Sequence, residues 1–267
     1  MKIGLIQMDV VDDKARNLEV AEKFIRLAAT QEAEVVLLPE MFNTPYGNEF
    51  FIPYAEEGEG PTLSLLKRLA KELGILLVGG SIPEADQGKI YNTSYIVDDK
   101  GEVLDKHRKA HLFDIDVKGG ITFFESKTLT PGDKVTILET SIGRIGVAIC
   151  YDIRFPEVFR KMALEGVSYV FIPAAFNHIT GPAHWEILTR ARALDNQMYL
   201  FIASPATSSV LDYKAYGHTL GVDPWGRILG ELGNREGLLV LDVDPSEVRR
   251  IKEELPTMKH RRPELYD

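Results

Sequence analysis

One cysteine, Cys150, carries all the thiol chemistry available to this 267-residue chain. A single thiol excludes an internal disulfide and a thiolate zinc cluster, and it suits a reducing compartment. Long apolar runs are missing as well. No stretch approaches the ~20 apolar residues of a membrane span, and the opening MKIGLIQMDV reads as a first strand, too short for a signal peptide. Positive charge is scarce: 31 Lys and Arg face 40 Asp and Glu, for a net charge of −9 and a pI near 5.3. Nucleic acid and anionic membrane both reward a basic face, so neither is expected as a partner. The expectation is a cytoplasmic protein, 45% hydrophobic, that folds as one unit over residues 1–267.

What is present alternates between β-branched runs and helical patterns, the signature of an α/β fold. Strands are expected at 2–8, 35–40, 75–80, 144–150, 169–176 and 199–205. Helical spacing places Leu18, Ala21, Ile25 and Ala28 on one face of a helix over 14–30. A second helix, with Thr62 as its N-cap, buries Leu63, Leu66, Leu69, Ala70 and Leu73. A third starts at Pro156 and turns Val158, Phe159, Met162 and Ala163 inward. A fourth, over 182–196, turns Ile187, Leu188, Ala191 and Leu194 inward. Hairpins are expected over 91–106 and 217–232, turning at Asp99–Gly101 and Pro224–Gly226. Both halves follow the order strand, helix, strand, helix, strand, hairpin. Two such halves can face each other as a four-layer sandwich, sheets inside and helices outside. Residues 110–134 lack a regular pattern, and a loop that long is usually functional. The polar tail from Pro256 is expected at the periphery, against a second subunit.

Ligands of open α/β sheets bind beyond the carboxyl ends of the strands. Three reactive side chains stand at such ends: Glu40 after VVLLP, Lys109 after the first hairpin and Cys150 after RIGVAI. A thiol needs a neighbouring base or cation before it acts as a nucleophile at neutral pH. None of the six histidines (107, 111, 178, 184, 218 and 260) sits beside a strand-end carboxylate in a relay pattern. A partly buried carboxylate can serve as the base instead, and a lysine can stabilise both thiolate and oxyanion.

LLPEMF (37–42), HRKAHLFDID (107–116) and GVAICYDIRFPE (146–157) resemble, in order, the three motifs of the carbon–nitrogen hydrolase (nitrilase) superfamily. PYGNEF (45–50), GGSIPE (79–84), FFESKTLTPGD (123–133), PAAFNHITGPAHWE (173–186), ARALDNQ (191–197) and DPWG (223–226) extend the resemblance to its ω-amidase branch. The resemblance implies an αββα sandwich that dimerises, or forms a higher homo-oligomer. It implies Cys150 as nucleophile, Glu40 as general base and Lys109 as oxyanion-stabilising cation. It further implies Glu125 as a second glutamate that positions Lys109 or shares proton transfer with Glu40, and the Tyr151 N–H as a second oxyanion donor. No metal or organic cofactor is called for.

The implied reaction is hydrolysis of the terminal amide of a small dicarboxylic monoamide, α-ketoglutaramate or α-ketosuccinamate, through a thioester. Arg154 can grip the distal carboxylate bidentately, or can form an ion pair with Asp152 or Glu157. Tyr46 can close over the pocket or pack beneath it; Asn177 and Thr180 can line it, and His184 its wall. A sister amidase acting on a larger amide, such as deaminated glutathione or an N-carbamoyl compound, is the main alternative. A nitrilase fits less well because the long resemblance is to the amidase branch and nitrilases differ around the cysteine, and a non-catalytic binding protein has no need of Glu40, Lys109, Glu125 and Cys150 together.

Overall fold

The computed structural model describes residues 1–118 and 120–266. Its first half contains β1 (Lys2–Gln7), α1 (Lys14–Thr30), β2 (Val35–Leu37), α2 (Asn48–Tyr54), β3 (Glu56–Glu57) and α3 (Pro61–Leu73). It continues through β4 (Leu76–Val78), β5 (Ile82–Asp86), β6 (Lys89–Val97) and β7 (Val103–Arg108). A small antiparallel pair, β8 (Asp114–Asp116) and β9 (Thr122–Phe124), bridges to the second half. That half holds β10 (Thr136–Thr140), β11 (Gly143–Val147), α4 (Pro156–Leu164), β12 (Tyr169–Pro173), α5 (Gly181–Asn196) and β13 (Tyr199–Ala203). It ends with β14 (Leu220–Val222), β15 (Ile228–Glu231), β16 (Gly237–Asp242) and α6 (Ser246–Glu254). None of the described helices is long and apolar enough to cross a membrane.

An eight-stranded sheet runs β16-β1-β2-β4-β6-β5-β3, with β7 paired to β6; a six-stranded sheet runs β10 to β15 in sequence order. Side-chain alternation with period two assigns each face. Ile3, Leu5, Val35 and Leu37 meet Ile145, Val147, Phe171 and Phe201 in a core between the sheets. The residues between them, Ile6, Val36 and Leu38, face outward onto α1 and α3. The second sheet's outer face packs Val170, Ile172, Leu200 and Ile202 under α4 and α5. Three apolar layers therefore separate four layers of structure, and the αββα sandwich is as expected. The repeat of the halves is imperfect: β16 crosses back to pair antiparallel with β1, Lys2 opposite Asp242.

Several local expectations are corrected. Thr62 does not cap α3; Gly60 holds that position, and buried Glu56 takes the Thr62 N–H at 2.9 Å and its hydroxyl at 2.6 Å. On α5 the inward face is Trp185, Thr189, Arg192, Ala193 and Asn196, while Ile187 and Leu194 are 65% and 49% exposed. Of the apolar positions expected inward, Leu188 does pack against the core, but apolar character misassigned Ile187 and Leu194, because the buried face also carries polar groups that work at the neighbouring turn. Residues 110–134 are not patternless: besides β8 and β9 they hold a 3-10 turn at Glu125–Lys127. The tail is peripheral, with Leu265 and Tyr266 63% and 61% exposed.

Strand pairing ends before the reactive residues do. β2 stops at Leu37 and β11 at Val147, so Glu40 and Cys150 sit in turns beyond the ladders. The Glu40 turn is pinned to the chain after β4: Ser81 Oγ accepts the Met41 N–H at 3.1 Å and the Ser81 N–H reaches the Pro39 carbonyl at 3.2 Å. Gly80 makes that approach possible. Its φ is +55°, and a Cβ there would lie 2.3 Å from the Pro39 oxygen, which no side chain tolerates without backbone movement. Gly80→Ala is expected to cost at least ~1–2 kcal/mol from the left-handed backbone alone, plus the clash, read as a lower urea midpoint. An unchanged midpoint would show that the turn adjusts freely.

Candidate active site

Glu40, Lys109, Glu125 and Cys150 arrive from different parts of the chain and converge. Lys109 follows β7 and is completely buried, as are Glu40 and Glu125. Its Nζ donates to Glu40 Oε1 and to Glu125 Oε1, both at 2.9 Å. An ammonium has three N–H donors, so one remains for a third partner. Asn92 on β6 donates to the same Glu40 oxygen at 2.8 Å. Glu40 Oε2 has no hydrogen-bond partner among the described residues. Glu125 Oε2 accepts the Phe113 N–H at 2.6 Å, and the Tyr46 hydroxyl donates to Glu125 Oε1 at 2.5 Å.

Cys150 is 4% exposed and begins a 3-10 turn, Cys150–Arg154, with φ +45°. Met41, next to Glu40, also has positive φ, +52°. Such backbone costs roughly 1–2 kcal/mol for a non-glycine residue, and its occurrence beside both groups marks a site where geometry outweighs local comfort. Arg192 on α5 holds the far end of the Cys150 turn, its Nε donating to the Ile153 carbonyl at 2.9 Å. The Tyr151 N–H, just after the thiol, donates to no acceptor among the described residues.

Burial governs the ionisation here. It pushes the Glu40 carboxyl above its ordinary range, and the Lys109 charge only partly offsets this. It pushes the Cys150 thiol up further, with Glu40 reinforcing the shift and Lys109 opposing it. Burial works against the Lys109 charge too, yet Glu125 and Glu40 together hold its pKa above the usual lysine value. Tyr46 stays a neutral donor, raised first by burial and then by Glu125 and Glu40. Burial thus favours the neutral thiol and gives the Glu40 carboxyl a raised proton affinity, the direction that a base for that thiol needs.

A cleft of about 20 Å³ opens onto Glu40, walled by Tyr46, Ala175, Pro205, Leu211 and Tyr213. That is room for one water molecule. A larger cavity of about 400 Å³ lies on the far side of Tyr46, Leu211 and Tyr213. Tyr46 stacks on Tyr213 with ring centroids 4.5 Å apart, and this pair is the partition between the two spaces. Tyr46 thus touches Glu125 and the cleft at once.

The remaining sequence candidates separate. Arg154 forms no ion pair with Asp152 or Glu157. Its guanidinium lies over the Tyr151 and Phe176 rings, at 5.5 and 5.1 Å, and reaches the His184 ring nitrogen at 3.2 Å. It does not line the Glu40 cleft. Asn177 and Thr180 do not line it either: Asn177 Oδ1 accepts the N–H groups of Ile179 and Thr180 at 2.9 Å, and the Thr180 hydroxyl at 3.3 Å. They make the turn into α5, which fits the preference of Asn for such turns. Sequence reasoning missed Asn92, Tyr213 and Arg192. Asn92 lies at a register it could have supplied, since its carbonyl accepts the Lys109 N–H at 2.8 Å.

Similarity to known proteins follows the whole chain. The profile of the carbon-nitrogen hydrolase family matches residues 2–253. Omega-amidase NIT2 of Mus musculus is 48% identical over 265 residues, 99% of this chain and 96% of the mouse protein. Saccharomyces cerevisiae Nit3, a member of branch 10 of the nitrilase superfamily, superposes with a TM-score of 0.91 and 41% identity, covering 98% of this chain and 96% of Nit3. An amidase from Nesterenkonia sp. AN1, of which a mutant was solved with acrylamide added at its active-site cysteine, superposes with a TM-score of 0.76. It is 27% identical and covers 97% of this chain and 99% of its own.

Lys109→Met is expected to leave two buried carboxylates without their cation, a loss of about 3–5 kcal/mol. Burial raises the folded-state pKa of Glu40 above its unfolded value, so the folded state binds more protons and the variant's stability should rise as pH falls from 7.5 to 5. Urea titrations at the two pH values check this. Equal stability to wild type would mean that the ammonium does not balance the carboxylates.

Proposed function

The chain belongs to the carbon–nitrogen hydrolase family, and from that premise we infer that it is a cysteine-dependent amidohydrolase of the ω-amidase type. It hydrolyses the terminal amide of small dicarboxylic monoamides, such as α-ketoglutaramate or α-ketosuccinamate, to the acid and ammonia. The observation that carries this is the buried Glu40–Lys109–Glu125 cluster beside the chain's one thiol. Near-half identity to omega-amidase NIT2 over the full length supports the substrate class.

In the proposed mechanism, Glu40 Oε2 takes the thiol proton as Cys150 Sγ attacks the amide carbon. The third N–H of Lys109 and the free Tyr151 N–H hold the oxyanion of the tetrahedral intermediate. Collapse breaks the C–N bond; Glu40 returns the proton to nitrogen and ammonia leaves, with the acyl group on sulfur. Water then gives its proton to Glu40 and attacks the thioester, and the second collapse restores the thiol and frees the acid. Glu125 keeps Lys109 aimed and takes no proton in this scheme. Substrate entry requires the Tyr46–Tyr213 partition to shift, because the closed cleft holds only a water-sized space. Arg154, unpaired with any acid among the described residues, is the cation assigned to the distal carboxylate.

We also hold the protein to be cytoplasmic and a homodimer. The free thiol supports the first. The exposed apolar residues Ile187 and Leu194 on α5, beside Trp225 at 46% exposure, support the second.

Ammonia release from a panel tests the function: α-ketoglutaramate, succinamate, glutamine, deaminated glutathione, N-carbamoyl-β-alanine and a simple nitrile. Activity should be confined to short ω-monoamides, vanish in Cys150→Ala and fall ~100-fold or more in Lys109→Ala. The acid limb of kcat/KM should lie above the ordinary glutamate value near 4.3, because the base must lose its proton and burial raises its pKa. Turnover by Cys150→Ala would end the thioester mechanism, and preference for the bulkier amides would move the protein to a sister branch.

A further inference from the structure

The two histidines flanking Lys109 in HRKAH take no part in the chemistry above, yet both bind one carboxylate. His107 is 1% exposed, and its Nε2 lies 3.1 Å from Asp152 Oδ2. Its other ring nitrogen meets Thr136 Oγ1 at 3.0 Å. His111 presents both its Nδ1 and its backbone N–H to Asp152 Oδ1, at 2.7 and 2.9 Å. The Ile149 N–H, next to the nucleophile, donates to Asp152 Oδ2 at 2.9 Å. A fully buried carboxylate two residues past Cys150 thus gathers four donors, three of them from the residues two before and two after Lys109.

The position of this carboxylate matters because Lys109 and Cys150 hang from different sheets. Lys109 follows β7 of the eight-stranded sheet; Cys150 follows β11 of the six-stranded one. The Lys109 N–H is bonded to Asn92 at the end of the β6–β7 ladder, but among the described residues no ladder spans from one sheet to the other. The Asp152 carboxylate crosses that gap beside the reacting groups and binds both strand ends to one point.

We propose that Asp152 is a positioning residue: by bracketing His107 and His111 it holds Lys109 in register with Cys150, and it thereby sets the rate of the acyl-transfer step rather than substrate binding. The inference rests on the amidohydrolase reading. Asp152 touches no reacting atom. Its effect passes through the aim of the Lys109 ammonium, where a misplacement of ~1 Å costs ~100-fold in rate.

Asp152→Asn is the direct test. An amide nitrogen cannot accept, so two of the four donors lose their acceptor whichever way the side chain turns. In the folded variant kcat should fall ~10–100-fold while KM stays within about twofold of wild type. A second readout is independent of the substrate: alkylation of Cys150 by iodoacetamide, followed by mass across pH. The groups facing the thiol, namely Glu40, Lys109, Glu125, Tyr46 and Tyr213, are all retained. A profile displaced to higher pH therefore reports an ammonium no longer held against the thiolate. Should Asp152→Asn not fold, His111→Phe keeps the ring stacked on Phe155, now 3.7 Å away, and removes one donor at a half-buried position. It should show smaller changes in the same direction. Loss of thermal stability with kcat per folded molecule and the alkylation profile both unchanged would overturn the inference. Wild-type silence on every amide would instead overturn the amidohydrolase reading, and the alkylation profiles would still decide the bracket.

Discussion

Everything at the centre of this molecule depends on one buried ammonium held between two carboxylates. Lys109, Glu40 and Glu125 have no exposed surface, and together they carry one negative charge in excess. Burial raises the proton affinity of the Glu40 carboxyl and of the Cys150 thiol beside it, and the Lys109 charge offsets this only in part. Moving a proton from the thiol to Glu40 leaves the net charge of the cluster unchanged. The step therefore avoids the burial penalty that isolated ionisation of either group would meet.

The fold exists, in functional terms, to bring that cluster and the thiol to one point. Two sheets present their strand ends to a shared edge, where Lys109 directly follows β7 and Glu40 and Cys150 each stand three positions past the end of their strands. Turns there are tied down hard. Ser81 and Gly80 fix the Glu40 turn, Arg192 the end of the Cys150 turn, and Asp152 the two histidines beside Lys109. Positive φ at Met41 and Cys150 is the local strain that these ties offset.

Much of this was legible in the sequence, and the exceptions share a cause. Short-range signals read correctly: the apolar alternation of the inner strands, the Pro156 start of α4 and the turns at Gly101 and Gly226. The three motif residues and Glu125 do meet. What could not be read were relations across the chain. β16 finds its partner over 230 residues away in β1, where no local pattern points to it. The buried face of α5 mixes Trp185 and Ala193 with Thr189, Arg192 and Asn196, and Arg192 there reaches the Ile153 carbonyl, so hydrophobicity picked out Leu188 but wrongly turned Ile187 and Leu194 inward. Asn177 and Thr180, in AFNHITGP, make the turn into α5 just outside the lining of the Glu40 cleft. His107 and His111 lacked a visible carboxylate because theirs, Asp152, lies about forty positions along the chain.

A covalent acyl group at Cys150 is what the mechanism requires above all. Intact-mass and peptide mass spectrometry on the wild type, acid-quenched within the first turnovers of α-ketoglutaramate, tests it most directly, since acid stops thioester hydrolysis while leaving acylation by Glu40 and Cys150 intact up to the quench. The mechanism predicts an added mass equal to the substrate less ammonia, confined to the peptide containing Cys150 and labile to hydroxylamine. Turnover accompanied by no adduct in the rapidly quenched enzyme, or by an adduct on another residue, would contradict it.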